Sequence, residues 1–201
     1  MPGQLDFFPY PFLAGCGLLL ILLIRTWRHK HNRAQVLFLG LFGLYLLLAI
    51  RQTFFPLFFE NGWRQPLAAI LGRINLQPFY FGGLFGPLPH LARLEILGNL
   101  LLTIPFGFLL PLATRARIRR LPWLLLVGGL GFEACQLLIN LALGGNYRSV
   151  DVNDVILNTA GTLIGYGLFQ SFTLVVRMES GYSNNPSTGL VAYLRDVTKR
   201  T

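Results

Sequence analysis

The chain has 201 residues, 53% of them apolar and only 12% charged, with a mean hydropathy of +0.54 and a net charge of +9. That balance excludes an ordinary soluble domain and leaves room for one compact bundle of membrane helices. The basic excess sits in short clusters beside apolar runs and belongs to no nucleic-acid module, so it speaks for topology and anionic lipid, and no nucleic-acid partner is expected.

Apolar runs of membrane-crossing length are predicted at 8–24, 34–50, 94–113, 122–143 and 155–176. The first opens on the proline-broken aromatic stretch Phe7-Phe8-Pro9-Tyr10-Pro11-Phe12, which fits an interfacial start followed by a tilted helix. No basic stretch precedes it, so a cleaved leader is not expected. The segment 51–93 between the second and third runs carries Phe54, Phe55, Phe58, Phe59, Trp63 and Pro78-Phe79-Tyr80-Phe81. Its density of aromatic residues with interspersed Arg and Pro predicts a re-entrant or interfacial segment that roofs the polar residues of the bundle. The fold class expected is therefore all-α: a polytopic membrane bundle of about five transmembrane helices. It occupies 1–179 as one domain, and the basic tail 180–201 is expected to be disordered or weakly helical near Lys199.

Twelve basic residues follow the first, third and fifth runs, from Arg25 to Arg33, from Arg115 to Arg120 and from Arg177 to Arg200. The other side holds five: Arg51, Arg64, Arg73, Arg93 and Arg148. The positive-inside rule then places the protein in the cell membrane with its N-terminus outside and its C-terminus in the cytoplasm. Asp6, Glu60, Glu95, Asp151 and Asp154 fall outside under that topology, Glu179 and Asp196 inside, and Glu133 within a span. Cys16 and Cys135 lie in apolar runs, where they build neither a disulfide framework nor a metal site; Cys135 is expected to be buried beside Glu133.

Polar residues recur at helical offsets of three and four. Gly129, Glu133, Gln136 and Asn140 form one stripe; Asp151, Asp154, Asn158 and Thr162 form a second; Asn99, Thr103 and Gly107 form a third. Stripes of this kind are costly against lipid, so the three are expected to face one another. Gly161 and Gly165 have the small-xxx-small spacing of close helix packing. One aspartate at the start of the last span suits a helix cap, but two, with Arg148 ahead and Glu133 across the fold, exceed what a cap needs.

The ordered set Glu133, Gln136, Arg148, Asp151, Asp154, Asn158, Thr159 and Gly161 resembles the VanZ-like membrane protein family, named for a teicoplanin-resistance protein. Asn75-Leu-Gln-Pro78-Phe79, and Asn99 followed by Ile104-Pro105-Phe-Gly107, agree with it, so the motif-bearing core spans roughly 75–170. The resemblance implies a small polytopic envelope protein, in some members linked to reduced sensitivity to glycopeptide antibiotics, and implies no settled reaction.

From the residues themselves, the candidate catalytic groups are Glu133, Asp151 and Asp154, with Glu133 as general acid or base. Arg148 is the candidate anion contact, and Gln136, Asn158 and Asn99 complete a substrate-binding set. Two aspartates with no His or Cys beside them do not specify a metal site, and no cofactor is implied. The expected partners are membrane lipid and a lipid-linked or anionic envelope component, with the oligomeric state left open. Three classes of function fit these residues: an outward polar site that binds or modifies such a component, a scaffold held by polar contacts between helices, and a proton-coupled carrier relaying through Glu133.

Overall fold

The computed structural model describes residues 3–30, 33–59, 64–80, 90–114, 121–145, 149–182 and 189–200. Five long helices form the bundle: α1 (Tyr10–Lys30), α2 (Arg33–Phe54), α4 (His90–Thr114), α5 (Leu121–Leu143) and α6 (Val152–Tyr182). The short α3 (Leu67–Leu71) lies between α2 and α4, and α7 (Gly189–Arg200) closes the chain. Two three-residue strands, β1 (Gly3–Leu5) and β2 (Leu57–Phe59), pair antiparallel with Leu5 opposite Leu57, tying the N-terminal extension to the exit of α2.

Among the described residues, four helices are long and apolar enough to cross a membrane: Tyr10–Arg28, Arg33–Phe54, Arg93–Thr114 and Val152–Met178. A shorter apolar stretch, Val127–Leu143, lies within the 23 residues of α5. At 1.5 Å per residue that whole helix extends about 34 Å, enough for a hydrocarbon core of about 30 Å. The five expected spans thus correspond to α1, α2, α4, α5 and α6. Leucines and isoleucines such as Leu18, Leu20, Ile21, Leu101, Leu138 and Leu168 turn away from the protein, as lipid-facing residues must.

The closest packing joins α4 to α6. A Cβ on Gly107 would fall on the Thr162 carbonyl, one on Gly161 would meet Thr103 and the Leu100 backbone, and one on Gly165 would fall on the Ile104 carbonyl. Backbone therefore lies against backbone along three successive contacts, an approach that only residues without a Cβ permit. On the second side of α6, Gly129 of α5 faces Thr159 and the Val155 carbonyl. Between α2 and α4, Phe42, Phe106, Leu110 and Ala113 form an apolar core, and the Tyr45 hydroxyl donates to the Leu102 carbonyl at 2.6 Å. Pro105 and Pro111 lie inside α4, where each removes an intrahelical N–H donor. α1 packs on α2 through Gly15 against Leu47 and Gly43 against Leu19.

The aromatic start of the first run packs against the exit of α2. Phe7 is buried among Phe8, Phe12 and Phe55, and the Arg51 guanidinium sits 5.0 Å over the Phe8 ring.

Of the tail expected to be disordered or weakly helical toward Lys199, residues 189–200 form α7. α7 buries Tyr193 and Val197, four residues apart on one face, against Ala34, Leu112 and Phe169. Tyr193 stacks on Phe38 at 5.7 Å, and its hydroxyl donates to the Leu112 carbonyl, one of the last four of α4, which have no intrahelical donor. Arg177 donates to the Thr198 carbonyl. A twelve-residue helix is marginal alone, and here burial of one apolar stripe supplies what propensity cannot. Cys135 also departs from expectation, because two residues along a helix turn it about 200° from Glu133, and it faces outward.

Candidate functional site

At one end of the bundle the chain crosses from α5 to α6, and the segment 64–80 clasps that crossing. α5 stops at Leu143 because Gly144 takes a left-handed φ of 72°, and the Gly144 and Gly145 N–H groups both donate to the Asn140 carbonyl at 2.9 and 3.0 Å. Gln65 N–H then donates to the Gly144 carbonyl at 2.7 Å. Asn75 bridges the start of α6, its N–H donating to Val150 O and its carbonyl accepting from Val152 N–H, each at 2.9 Å. From α6 the buried Asn153 reaches back: its Oδ1 accepts from Phe79 N–H at 2.5 Å and its Nδ2 donates to Tyr80 O at 3.1 Å. The Asn75 to Phe79 motif is thus a clasp on a helix N-terminus, which the segment's polar backbone needs at that depth.

Asp151 caps that helix. Its Oδ1 accepts from Asn153 N–H at 2.8 Å, the usual reach of an N-cap side chain, and its Oδ2 accepts from Asn75 Nδ2 at 2.9 Å. Its own N–H donates to Glu133 Oε2 at 3.2 Å, which links the cap to α5. Both carboxylate oxygens of Asp151 are therefore engaged in holding backbone and clasp, and the residue is absent from the described cavity lining.

The three polar stripes meet. Glu133, Gln136, Asn140, Asn158, Thr162 and Thr103 are all buried. Between α2, α4, α5 and α6 they leave a cavity of about 310 Å³ whose lining includes Glu95, Asn99, Glu133, Gln136, Asp154 and Asn158, together with Thr53 and Ser149. Asn99 Nδ2 donates to Asp154 Oδ1, joining α4 to α6 across the cavity floor. Glu133 is 5% exposed, Asp154 half-buried and Glu95 exposed at the mouth, and these acids lie within electrostatic reach of one another and of Asp151.

Three further polar groups are buried in the lining. Gln136 Oε1, Asn158 Oδ1 and Thr53 Oγ1 have no hydrogen-bond partner. Gln136 and Asn158 thus leave their side-chain oxygens out of any hydrogen bond between the helices, within residues that line the cavity. Among the described residues, no three His, Cys, Asp or Glu side chains are grouped so as to hold a metal ion.

Of the expected site residues, Glu133, Asp154, Gln136, Asn158 and Asn99 come together in one lining, Asp151 supports it from outside, and Arg148 lies outside the described residues. Of the segment 51–93 expected to roof the site, Gln52 and Thr53 line the cavity, 64–80 fixes the start of α6 beside it, and 60–63 and 81–89 lie outside the described residues. Glu95 and Thr53 were not singled out from the sequence. Glu95 extends the Asn99–Thr103–Gly107 stripe by one turn at an offset of four, a signal that was there to be read. Thr53 lies past the apolar part of α2, where hydropathy gives no warning that the helix continues.

A family model described as VanZ/LLP1 matches residues 42–175, well over half of the chain. No curated protein and no solved structure matches it.

Proposed function

The chain belongs to the VanZ/LLP1 family and is a multi-pass membrane protein, and on that premise we propose that its cavity is an outward-facing site that binds or modifies a polar component of the cell envelope, lipid-linked or anionic. The observation that carries this reading is the set of three buried, unpartnered polar atoms, on Gln136, Asn158 and Thr53, in a cavity that also holds three carboxyl side chains. Buried polar groups in native folds are almost always satisfied, and a scaffold would have closed these contacts between its helices. A cavity of about 310 Å³ is also at the lower bound of small-ligand sites, about 300–1,000 Å³.

In this reading Glu133 and Asp154 are the groups that take or give a proton, or that hold the ligand; Gln136, Asn158 and Asn99 orient it; and Asp151 positions Glu133 through its N–H. Arg148 remains the anion contact on sequence grounds. Charge distribution supports this orientation: Arg25, Arg28, Arg33, Arg177, Arg195 and Lys199 belong to the end where α7 docks, against Arg51, Arg64, Arg73 and Arg93 at the cavity end, which also carries Asp6, Glu95, Asp151 and Asp154. Positive charge marks the cytoplasmic side, which supports an outward opening of the cavity. The family membership supports an influence on glycopeptide antibiotic sensitivity.

The test is a panel of glycopeptide and envelope-stress susceptibilities on strains carrying the wild-type chain, Asp154→Asn, Glu133→Gln or a deletion, with membrane levels measured in each. Both variants are expected to match the deletion at wild-type membrane level. Retention of the phenotype by both refutes the site.

A further inference from the structure

The cavity's chemistry is one-sided. Its described lining contributes the carboxyl groups of Glu95, Glu133 and Asp154 and the unmet carbonyl oxygens of Gln136 and Asn158, and contains no Lys, Arg or His. The described basic residues at this end of the bundle are occupied or set elsewhere: Arg51 lies over the Phe8 ring, Arg64 runs against Gly144, Arg73 lines a separate cavity of about 100 Å³, and Arg93 is exposed. The described lining is therefore rich in acceptors, and its donors, the amides of Gln52, Asn99, Gln136 and Asn158 and the hydroxyls of Thr53 and Ser149, are all neutral. An anionic group set among these three acids would meet like charge, whereas a cation with N–H bonds relieves the repulsion among them and donates to their oxygens.

The acceptors are set for a guest larger than a bare ion, since among the described residues no three acids are grouped closely enough to cage a metal. A quaternary ammonium has no N–H to give and is recognised by aromatic cages, and the described lining offers one aromatic ring, Phe132. A primary ammonium has three donors and a compact charge, which two carboxylates and an amide oxygen can surround. We propose that the cavity binds the primary ammonium group of its envelope ligand, held by Glu133 and Asp154 with Gln136 and Asn158 as neutral acceptors and Glu95 at the mouth. The inference rests on the envelope-site reading above and specifies the part of the ligand that enters. Such a group is found both on an aminophospholipid headgroup within the bilayer and on an unacetylated amino sugar reaching the membrane surface.

Full-length protein in nanodiscs of phosphatidylglycerol provides the test, with melting followed by tryptophan fluorescence. One arm replaces part of the lipid with phosphatidylethanolamine, against phosphatidylcholine as control; the other adds glucosamine, against N-acetylglucosamine. An upward shift in Tm that saturates with the amine, is missing in its matched control and is lost in the Glu133→Gln, Asp154→Asn double variant supports the proposal, and the arm that moves identifies the source. Glu95→Gln changes an exposed side chain and preserves the fold, and it is expected to weaken the response several-fold. No shift in either arm, equal shifts with the controls, or a shift retained by the double variant overturns the ammonium assignment. If no amine binds while Asp154→Asn still matches the deletion strain, the envelope site stands and the ammonium assignment alone falls.

Discussion

Replacing Asn153 by Ala removes both halves of the clasp on α6 without touching the cavity lining. The side chain accepts from Phe79 N–H at 2.5 Å and donates to Tyr80 O at 3.1 Å, with a longer contact to Gln77 O at 3.4 Å. Counting two effective bonds at about 0.5–1.5 kcal/mol each gives roughly 1–3 kcal/mol. Gln77, Phe79 and Tyr80 are exposed, so water can take the freed backbone groups and the cost stays within that range and does not climb to a full desolvation penalty. The loss is local, because Asn75 still holds Val150 and Val152 and the α4–α6 contact is untouched. Free energy of this size corresponds to about a 5–150-fold increase in local opening. Hydrogen–deuterium exchange in nanodiscs reads it directly: the Phe79 amide is expected to exchange faster by that factor, while those of α4 and the middle of α6 keep their protection. Unchanged exchange at Phe79, or loss of protection spread through α4 and α6, would refute the clasp.

Other perturbations separate packing from function. Gly165→Leu drives a side chain into the Ile104 backbone, which cannot yield as a side chain would, and is expected to prevent recovery of folded protein, whereas Gly167→Ala enters open space and changes Tm little or raises it slightly, as a fluorescence melt would show. Tyr193→Phe forfeits the bond to Leu112 O at a cost of about 1 kcal/mol, while Tyr193→Ala also empties a fully buried site and costs about 3–5 kcal/mol, the difference appearing as two well-separated melts. In a Cys16→Ser, Cys135→Ser background, Ser149→Cys is expected to react with a membrane-impermeant maleimide on intact cells and Lys199→Cys only after lysis; the reverse pattern would invert the topology.

The bundle was legible because hydropathy and 3.6-residue periodicity are local signals, and Glu133, Gln136, Asn158 and Asn99 stand out as polar residues at offsets of three and four in apolar helices. What escaped depends on a boundary or a partner. The last span was expected to begin at 155; α6 begins at Val152, and those three residues decide that Asp151 is the cap and Asp154 the one that faces Asn99. α2 was expected to end at 50 and continues to Phe54, which is how Thr53 enters the lining. The face of α7 carried by Tyr193 and Val197 has value only where α2, α4 and α6 receive it, and that surface is assembled from residues as far apart as Ala34 and Phe169.

The Cβ-free seam of α4 and α6 has a mechanical corollary. Three glycine contacts in series act as teeth, so that sliding one helix past the other by a turn would drive side chains into backbone. Asn99 and Asp154 are thereby welded into a rigid jaw. Under the proposed binding role, the breathing that admits and releases a guest has to come from the opposing jaw, α5 with Glu133 and Gln136 or the final turn of α2 with Thr53, and adaptation of the site to a new guest would be found on those two helices.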